Sequence, residues 1–383
     1  MDFDLPEEVI AVRDMARKFA AEYIAPNARQ WDREQAFPDE LIQKLGELGF
    51  LGAMIPTEYG GSGLGYMHFV AIIEEISRHC GATGLMVAAH NGLGTAHLKL
   101  GGNEEQKKKY LPALASGKYL SAWGLSEPGC GSDAANMTTT AVRDGDDWII
   151  NGAKQFITSA SRAGMIVVIC VTEPDKGPKG ITAFIVEPDN PGMEIGPKED
   201  KLGMRGSDTV PLIFEDCRVS NWAMCGEYNQ GFVDAMKVLE RGRITIGALA
   251  LGLARGALEE SLEYAKQRHS FGKPLVEHQA IQFMLADMAM EVDAARLLVR
   301  RAAVTMDENN TANFEAAVCK LFASEIATKA CLNAIQIGGG YGYTKDMPME
   351  RYMRDAKLCE IGEGSSQIQR MVIARCLLSR DDL

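Results

Sequence analysis

The spacing of apolar and polar residues divides the chain into three stretches, and the first, residues 1 to about 118, predicts helices. Apolar side chains recur there at helical spacing, which places them on one face. Pro38 and Asp39 suit a helix start, and Pro56–Leu64 is rich in turn residues. The predicted helices cover Glu7–Tyr23, Glu40–Leu51, Tyr66–His79 and Asn103–Leu114.

Between residues 119 and 229 the pattern changes to short runs rich in β-branched residues and bounded by Gly, Pro and Asp. Asp144-Gly145 and Asn151-Gly152 flank Trp148–Ile150, and such pairs are a strong signal for a β-hairpin. The stretch therefore predicts a small antiparallel β-domain. Its further strands are expected at Met165–Thr172, Ile181–Glu187 and Thr209–Phe214.

From residue 230 to the end the helical pattern returns in long amphipathic segments, which naturally pack as a bundle. The predicted helices cover Ile244–Arg268, Ala280–Met306 and roughly Phe314–Ile337. The expected fold is mostly α with a central β-domain. Its predicted domains are an N-terminal helical domain at 1–118, a middle β-domain at 119–229 and a C-terminal helical bundle at 230–383.

Composition and charge exclude several classes of function. The chain has 383 residues, a net charge of −12 and no long basic run, which disfavours nucleic acids and anionic membranes as partners. No stretch is long and apolar enough for a membrane span. The nine cysteines are scattered without a CxxC pair, which indicates reduced thiols, and the six histidines show no metal-ligand spacing. The acidic start, MDFDLPEEV, does not resemble a presequence, so a cytoplasmic location is expected.

Two segments of the middle stretch are candidates for ligand binding. Trp123–Asp133 crowds glycines and small hydroxyls into a turn after a probable strand, which allows backbone N–H groups to approach a ligand closely. An ordinary glycine-rich turn is an equal alternative. In Gln155–Thr158 an aromatic residue and a hydroxyl lie two positions apart, on one face of a strand. They could cover and bond a ring, or belong to a half-buried core strand.

Two further candidates lie in the C-terminal stretch. Arg268–Pro274 ends a long predicted helix, with Gln279 beyond it. The arginine could bind a phosphate with two hydrogen bonds, or serve only as a cation near the helix C-terminus. Gln336–Gly342 contains three successive glycines, more than a helix end needs. They suggest close approach to a ligand or another subunit, or a flexible turn.

Glu363 is the strongest candidate for catalysis. Glycines flank it on both sides, just before a helical run, so its carboxylate is little shielded and its backbone is expected to be mobile. Burial against an apolar ligand would raise its pKa, as a general base requires. The alternative is a glutamate that stabilises a helix start.

In order and spacing these segments resemble the acyl-CoA dehydrogenase family over essentially the whole chain. The matching motifs include Glu58–Gly61, Glu127–Gly129 and Glu363-Gly364, and the region from Leu275 to Glu291 is similar to medium-chain members. The resemblance implies an N-terminal helical domain, a middle β-barrel-like domain and a C-terminal four-helix bundle. It also implies a homotetramer built as a dimer of dimers.

The resemblance further implies FAD as cofactor and assigns binding residues on both sides of it. Some of these residues would reach the FAD of a neighbouring subunit. The implied FAD-binding residues are Trp123, Leu125, Ser126, Gly131, Ser132, Phe156, Ile157, Thr158, Arg268, Ser270, Phe271, Gln279, Gln336, Ile337, Gly339, Gly340, Ser365 and Gln367. The implied contacts to the acyl-CoA substrate are Ser132, Glu240, Arg243 and Gly364.

The implied reaction is the α,β-dehydrogenation of an acyl-CoA thioester. Glu363 removes the proton α to the carbonyl, and flavin N5 accepts the β hydride. The Glu363 N–H and a flavin ribityl hydroxyl hold the thioester oxygen. Electrons then pass to an electron-transfer flavoprotein. The implied setting is the degradation of fatty, amino or cyclic acids.

Departures from the family pattern refine these expectations. Several relatives carry the base at the position of Gly242, where glycine cannot serve, which favours Glu363. Ala89 replaces a Glu of medium-chain relatives, so we expect a pocket suited to short branched or cyclic acyl groups. Gly84 replaces the Arg of dicarboxylate-specific relatives, which disfavours glutaryl-CoA. His90 is expected to be a structural histidine.

Two other functions compete with this one. An acyl-CoA oxidase would pass electrons to oxygen, although such chains are usually much longer. A non-catalytic flavin-binding relative, or one associated with DNA, is opposed by the retained Glu363 and by the net charge of −12.

Overall fold

The structure is a computed structural model that describes residues 4–379. Residues 1–3 and 380–383, which the predicted terminal domains include, lie outside the described residues. The four helices predicted in the first stretch are confirmed, with ends shifted by a few residues. In the described part of the chain the N-terminal helices are α1 (Glu7–Phe19), α2 (Ala25–Glu34), α3 (Asp39–Glu47), α4 (Tyr66–Ser77), α5 (Gly81–Ala89), α6 (Thr95–Gly101) and α7 (Glu104–Ala115).

Two π-helical turns join neighbouring N-terminal helices without a break in the chain's helical path. Ala20–Ile24 links α1 to α2, and His90–Gly94 links α5 to α6. π-helical turns are rare in proteins, and those that occur are often located at functional sites. The second turn, which the sequence did not predict, packs against the first strand of the central sheet through His90 and Ser121.

The central β-domain is confirmed as a curled sheet. Its strands in the described residues are β1 (Leu120–Gly124), β2 (Thr140–Asp144), β3 (Asp147–Thr158), β4 (Ala163–Val171), β5 (Ile181–Val186), β6 (Met193–Ile195) and β7 (Thr209–Ser220). Their order is β1-β4-β2-β3-β7-β6, with β5 paired to β4. Most pairs are antiparallel, as predicted, but β4 lies parallel to β1 and to β2. These parallel pairs need long connections, which local hairpin signals do not report.

The predicted hairpin forms between β2 and β3, with its turn at Gly145. Asn151-Gly152 is not a second turn; it lies inside β3, where the register to β7 shifts between Ile150 and Gly152. Gly152 has a φ of 140°, and a Cβ there would lie 2.7 Å from Thr139 Cα. The glycine therefore permits a bulge and a close backbone approach.

The C-terminal helices form a bundle around α8, whose middle part is buried on all sides. This explains its nearly continuous apolar sequence between Ile244 and Ala257. The helices and the small hairpin of this part are α8 (Gly231–Gln267), β8 (His269–Ser270), β9 (Lys273–Pro274), α9 (Gln279–Asn309), α10 (Asn313–Gly342), α11 (Met349–Cys359) and α12 (Ser366–Leu378). The predicted C-terminal helical domain is thus confirmed.

The two helical parts share one hydrophobic core, which extends from α1 and α4 to α8–α11. An ion network centred on buried Glu75 lies beside this core: Glu75 accepts hydrogen bonds from Arg17 and Arg255, each at 2.9 Å. The interior of the β-sheet forms a separate core. Gln106 of α7 links the N-terminal helices to the segment after β7, because its Nε2 donates hydrogen bonds to the carbonyls of Trp222 and Met224.

Apolar side chains are also exposed on α9, at strict seven-residue intervals. They are Phe283, Met290, Leu297 and Val304. Seven-residue spacing places them along one stripe of the helix. We call this set the α9 stripe.

None of the helices in residues 4–379 has the length and apolarity needed to span a bilayer. All nine cysteines fall within these residues and are free thiols, and all except the half-buried Cys376 are buried.

Candidate active site

Glu363 lies in the short connection between α11 and α12, where the backbone reverses. Its φ is 55° and that of Gly364 is 93°. A non-glycine residue rarely adopts a positive φ, so surrounding contacts must hold this turn.

Two buried side chains hold the carbonyls of the turn. Lys320 Nζ donates to Gly364 O at 2.7 Å. Gln369 Nε2 donates to Gly364 O at 2.8 Å and to Glu363 O at 3.3 Å. The turn is therefore fixed by hydrogen bonds, whereas its glycines had suggested a mobile backbone.

The Glu363 carboxylate is directed onto α8 at Gly242. A Cβ at Gly242 would overlap Glu363 Oε2. The two positions therefore face the same space, which only one side chain can occupy. Glycine at 242 therefore leaves room for the Glu363 carboxylate in its present position, which any side chain at 242 would displace.

Burial sets the ionisation of this carboxylate. Glu363 Oε2 is buried and has no hydrogen-bond partner among the described residues. Desolvation raises the pKa of Glu363 to about 7, although the nearby charges of Lys320 and Arg243 oppose the shift. A carboxylate with a pKa near neutrality is suited to act as a general base.

Arg243 and Glu240, both expected to contact substrate, lie one helical turn apart on α8. Arg243 is buried, its Nη1 donates to Asn313 Oδ1 at 3.2 Å, and its Nε has no partner among the described residues. Burial lowers the pKa of Arg243, against the opposing charges of Glu363 and Glu240. Glu240 Oε1 accepts from Thr311 Oγ1 at 2.7 Å and from the Ala312 N–H, so its carboxylate already serves the start of α10.

The first predicted FAD-binding segment begins in β1 and continues into the loop after it. Trp123 and Leu125 have buried side chains, Ser126 is half-buried, and Gly131 and Ser132 are exposed. Trp123 Nε1 donates to His97 Nδ1 at 3.2 Å. The beginning of the segment is therefore packed in the core, and its end is exposed to solvent.

The second predicted FAD-binding segment lies beside it in β3. Gln155 N donates to Ser126 O at 2.8 Å, which brings the two segments together. The strand bulges between Lys154 and Ile157, and Phe156 has a φ of 61° and a side chain 65% exposed. Ile157 is buried in the sheet core, so only its backbone is available to a ligand, and Thr158 is half-buried. An outward aromatic ring beside an open loop fits a flat ring such as a flavin.

A second group of predicted FAD contacts forms at the other end of α8. Phe271 has a φ of 50° and is 96% exposed in the β8–β9 hairpin. The Arg268 guanidinium lies 5.7 Å from the ring centre of Tyr341, directly after Gly340. The structure thus brings the Arg268 and Gln336–Gly340 segments together. Gln279, Gln336, Gly339 and Gly340 are exposed, Ser270 is half-buried and Ile337 is buried.

The remaining predicted FAD contacts lie at the start of α12. Ser365 is the N-cap of this helix, where its Oγ accepts from Ile368 N at 3.4 Å. Gln367 is exposed. Gly364, expected to contact the substrate, belongs to the turn that carries Glu363.

His90 has a structural environment. It is fully buried, its Nδ1 accepts from Ser121 N at 3.1 Å, and its Nε2 lies 3.2 Å from Leu114 O. These partners assign the proton of a neutral ring to Nε2. Burial lowers the pKa of His90 to about 4, which keeps it neutral. This environment supports the expectation of a structural histidine.

Sequence reasoning missed Lys320, Gln369 and Lys154, which support the candidate site from beneath. Lys320 and Lys154 lie in a regular helix and strand outside the motifs, and Gln369 lies near the end of the Glu363 segment, where no role was assigned to it. The one local signal was apolar surroundings, as in Ala316–Ala323 around Lys320. Within residues 4–379, no cluster of three or more His, Cys, Asp or Glu side chains could hold a metal ion.

Comparison with known proteins identifies the family. The N-terminal, middle and C-terminal domain models of acyl-CoA dehydrogenase match residues 6–118, 122–217 and 229–378. A probable acyl-CoA dehydrogenase of Bacillus subtilis, YngJ, is 49% identical over 99% of this chain and 100% of its own length.

Solved structures agree with this assignment. Butyryl-CoA dehydrogenase from Megasphaera elsdenii is 40% identical, with a TM-score of 0.96 over 99% of this chain and 100% of its own. A chain in a structure of the electron transferring flavoprotein of Acidaminococcus fermentans is 44% identical, with a TM-score of 0.97 over the same shares.

The predicted FAD cofactor is confirmed, because acyl-CoA dehydrogenases are FAD enzymes. One structural neighbour, a glutaryl-CoA dehydrogenase from Mycobacterium smegmatis, is solved with FADH2; it is 28% identical, with a TM-score of 0.93 over 99% of this chain and 96% of its own. The chain belongs to the acyl-CoA dehydrogenase family of FAD-dependent oxidoreductases.

Proposed function

We propose that Glu363 is the catalytic base of this enzyme and removes the α proton of an acyl-CoA thioester. The observation that carries the proposal is the carboxylate directed at Gly242, whose buried Oε2 has no hydrogen-bond partner among the described residues. A base without a competing partner is free to accept a proton. Its pKa of about 7 makes it both ionised and basic near neutral pH.

The hydrogen-bonded turn at Glu363 positions this base. Lys320 and Gln369 hold the turn by its carbonyls, so the carboxylate keeps one position over α8. Bound FAD supplies the acceptor for the β hydride. The segments Trp123–Ser132 and Phe156–Thr158 would hold its ring. Arg268, Phe271 and the Gln336–Gly340 segment would hold the FAD of a second copy.

Arg243 is the favoured substrate contact on α8. Its buried guanidinium retains an unpartnered Nε and lies in the electrostatic field of Glu363. It supports binding of the polar thioester or CoA part of the substrate. Ser132, at the exposed end of its segment, and Gly364 complete the proposed contacts. Glu240 is already bonded to Thr311 and Ala312, so we assign it an indirect role through α10.

We further propose a short acyl chain, branched or cyclic near the reacting carbons. Butyryl-CoA dehydrogenase, a four-carbon enzyme by name, supports the short length. Ala89 and the absence of an arginine at Gly84 support a pocket without charged groups. A dicarboxylic acyl group would leave its second carboxylate buried and unpaired there.

An electron-transfer flavoprotein is the proposed electron acceptor. The structural similarity to a chain described with the electron transferring flavoprotein of Acidaminococcus fermentans supports this partner. Oxygen, the acceptor in the oxidase alternative, would reoxidise the reduced enzyme rapidly in air. A cytoplasmic location is proposed from the free, mostly buried thiols, which suit a reducing compartment.

We propose a homotetramer that buries the α9 stripe against copies of this chain. Exposed apolar side chains at four successive positions of one stripe are typical of an interface. Exposed Phe271 and Tyr341, beside Arg268, provide a further surface at the end of the bundle.

Replacing Glu363 by glutamine should slow the anaerobic bleaching of the flavin by substrate by roughly 10²–10⁴-fold, because the amide cannot accept the α proton. Stopped-flow absorbance measures this rate. Glu360→Gln is the matched control, because Glu360 lies in the same segment and is paired to Lys357 and Thr328. Unchanged bleaching in flavin-loaded Glu363→Gln would refute the proposed base.

The burial of Glu363 also predicts how stability depends on pH. Its pKa rises from 4.5 to about 7 in the folded state, so the folded protein binds the proton more tightly. The free energy of unfolding of wild type, relative to that of Glu363→Gln, should therefore decrease as the pH rises from 4.5 to 7. The decrease should be at most about 3 kcal/mol. Thermal denaturation of the two purified proteins across this range measures the difference.

Glu360→Gln should show the opposite slope. Although burial opposes it, hydrogen bonds from Lys357 and Thr328 lower the pKa of Glu360, so wild type should lose stability relative to this variant as pH falls. Parallel curves for wild type and Glu363→Gln would show that the carboxylate is not desolvated.

A panel of thioesters tests the acyl group. Isobutyryl-CoA and cyclohexanecarboxyl-CoA should bleach the flavin at least about tenfold faster than octanoyl-CoA, since one misfitting methylene costs on the order of tenfold or more. Glutaryl-CoA should not bleach it. Rates for butyryl-CoA or octanoyl-CoA well above the branched and cyclic thioesters would contradict the branched or cyclic preference.

Charges on the α9 stripe should disrupt the tetramer. Met290→Glu and Leu297→Glu would place carboxylates in an apolar interface, so sedimentation velocity should detect smaller species. Val142→Glu is the control, because Val142 is also exposed but lies on β2. A wild-type monomer, or a tetramer unchanged in both stripe variants, would refute this interface.

A further inference from the structure

A buried ion pair lies beneath the proposed flavin-binding segments. Lys154 Nζ is 2.7 Å from Glu127 Oε1, and the two side chains are 0% and 2% exposed. Lys154 belongs to β3, and Glu127 to the loop after β1. Buried charges are costly unless they are paired and fully hydrogen-bonded, so such a pair needs a structural or functional reason.

Glu127 closes the loop that follows β1. Its Oε2 accepts from Thr138 N at 2.6 Å and from Thr138 Oγ1 at 2.8 Å, and its Oε1 accepts from Thr139 N at 2.9 Å. The carboxylate thereby joins the beginning of the loop to its end. The exposed Gly129 and Gly131 between these points give the loop little stiffness of its own.

Lys154 ties this closed loop to β3. Its Nζ also donates to Leu125 O at 3.3 Å, and a Cβ at Gly124 would lie 3.1 Å from its Cγ. Both its charge and its stem therefore contact the segment that leads into the loop. The neighbouring Gln155 N–H adds a bond to Ser126 O.

The position of Lys154 in its strand matters equally. It pairs with Leu212 at the last regular position before the bulge that turns Phe156 outward. The ion pair thus lies where the Trp123–Ser132 segment meets the Phe156–Thr158 segment, and any shift of the ammonium alters their spacing.

We propose that Lys154 and Glu127 are a positioning pair that sets the gap between the two segments flanking the flavin ring. Neither residue is assigned a contact with substrate or a role in proton transfer. The proposal rests on the proposed FAD-binding roles of these segments. It extends them by naming the interaction that holds the segments at the spacing the ring requires.

The test uses the FAD-loaded enzyme and compares Lys154→Met, Glu127→Gln and the double variant. Each single variant should lower the melting temperature and weaken FAD binding, because it loosens the loop and leaves one polar group without its partner. The double variant should regain most of the melting temperature, since neither charge remains. It should still bind FAD at least tenfold more weakly, with a shifted flavin absorption band, because the ion pair no longer fixes the spacing between the loop and β3 and only the backbone bond from Gln155 to Ser126 remains.

Glu75→Gln is the matched control for stability. It weakens the ion network of buried Glu75 with Arg17 and Arg255 beside the helical core, remote in sequence from both flavin segments. It should lower the melting temperature and leave FAD affinity and the absorption band unchanged.

Recovery of FAD affinity together with stability in the double variant would overturn the proposal, because the pair would then act only on folding. Unaltered FAD affinity in all three variants would overturn it as well. If the single variants do not fold, the double variant alone decides. These measurements need no substrate, so they are independent of whether Glu363→Gln slows bleaching.

Discussion

The desolvation of one carboxylate is the constraint around which the candidate site is arranged. Glu363 Oε2 is buried over α8 without a hydrogen-bond partner in the described chain, and desolvation raises the pKa of Glu363 to about 7. This environment disfavours the ionised carboxylate. The carboxylate makes no hydrogen bond to the described residues that could hold the turn, so other groups must hold it. Lys320 and Gln369 do so through the carbonyls and leave the carboxylate itself unbonded.

In the β-domain, too, the supporting side chains are buried, and some of the proposed ligand contacts are exposed. Lys154 and Glu127 are buried beneath the loop, while Ser132 and Phe156 remain exposed at its rim. The helical parts share one core, one side of the sheet has its own, and the other side of the sheet packs against α6, α7 and the start of α8. The proposed cofactor-binding segments thus lie on the sheet and the proposed base lies on the helical bundle, so each is carried by regular secondary structure.

Sequence periodicity predicted the helices well because their apolar faces are regular, as in Tyr66–Ser77 and Glu104–Ala115. The β2–β3 hairpin was predictable from its turn residues. The parallel pairing of β1 with β4 was not, since it depends on partners distant in sequence. Asn151-Gly152 had the residues of a turn, but its glycine serves a close approach to Thr139.

The site shows the same limit. Glu363 was predictable from its flanking glycines together with the family resemblance. Lys320 and Lys154 were not, because a lone lysine in a helix or strand usually marks a solvated face, and only tertiary packing shows that these two are buried. Their importance is evident from what their ammonium groups bond, which no local pattern records.

The overlap between position 242 and the Glu363 carboxylate has a consequence for how such enzymes diverge. A carboxylate cannot be moved from the α11–α12 connection to α8 by one substitution. Acquiring a glutamate at 242 first would force two carboxyl groups into one space, and losing the one at 363 first would leave none. The position of the carboxylate and the residue at 242 are therefore coupled, and a change at either position alters the space available to the other.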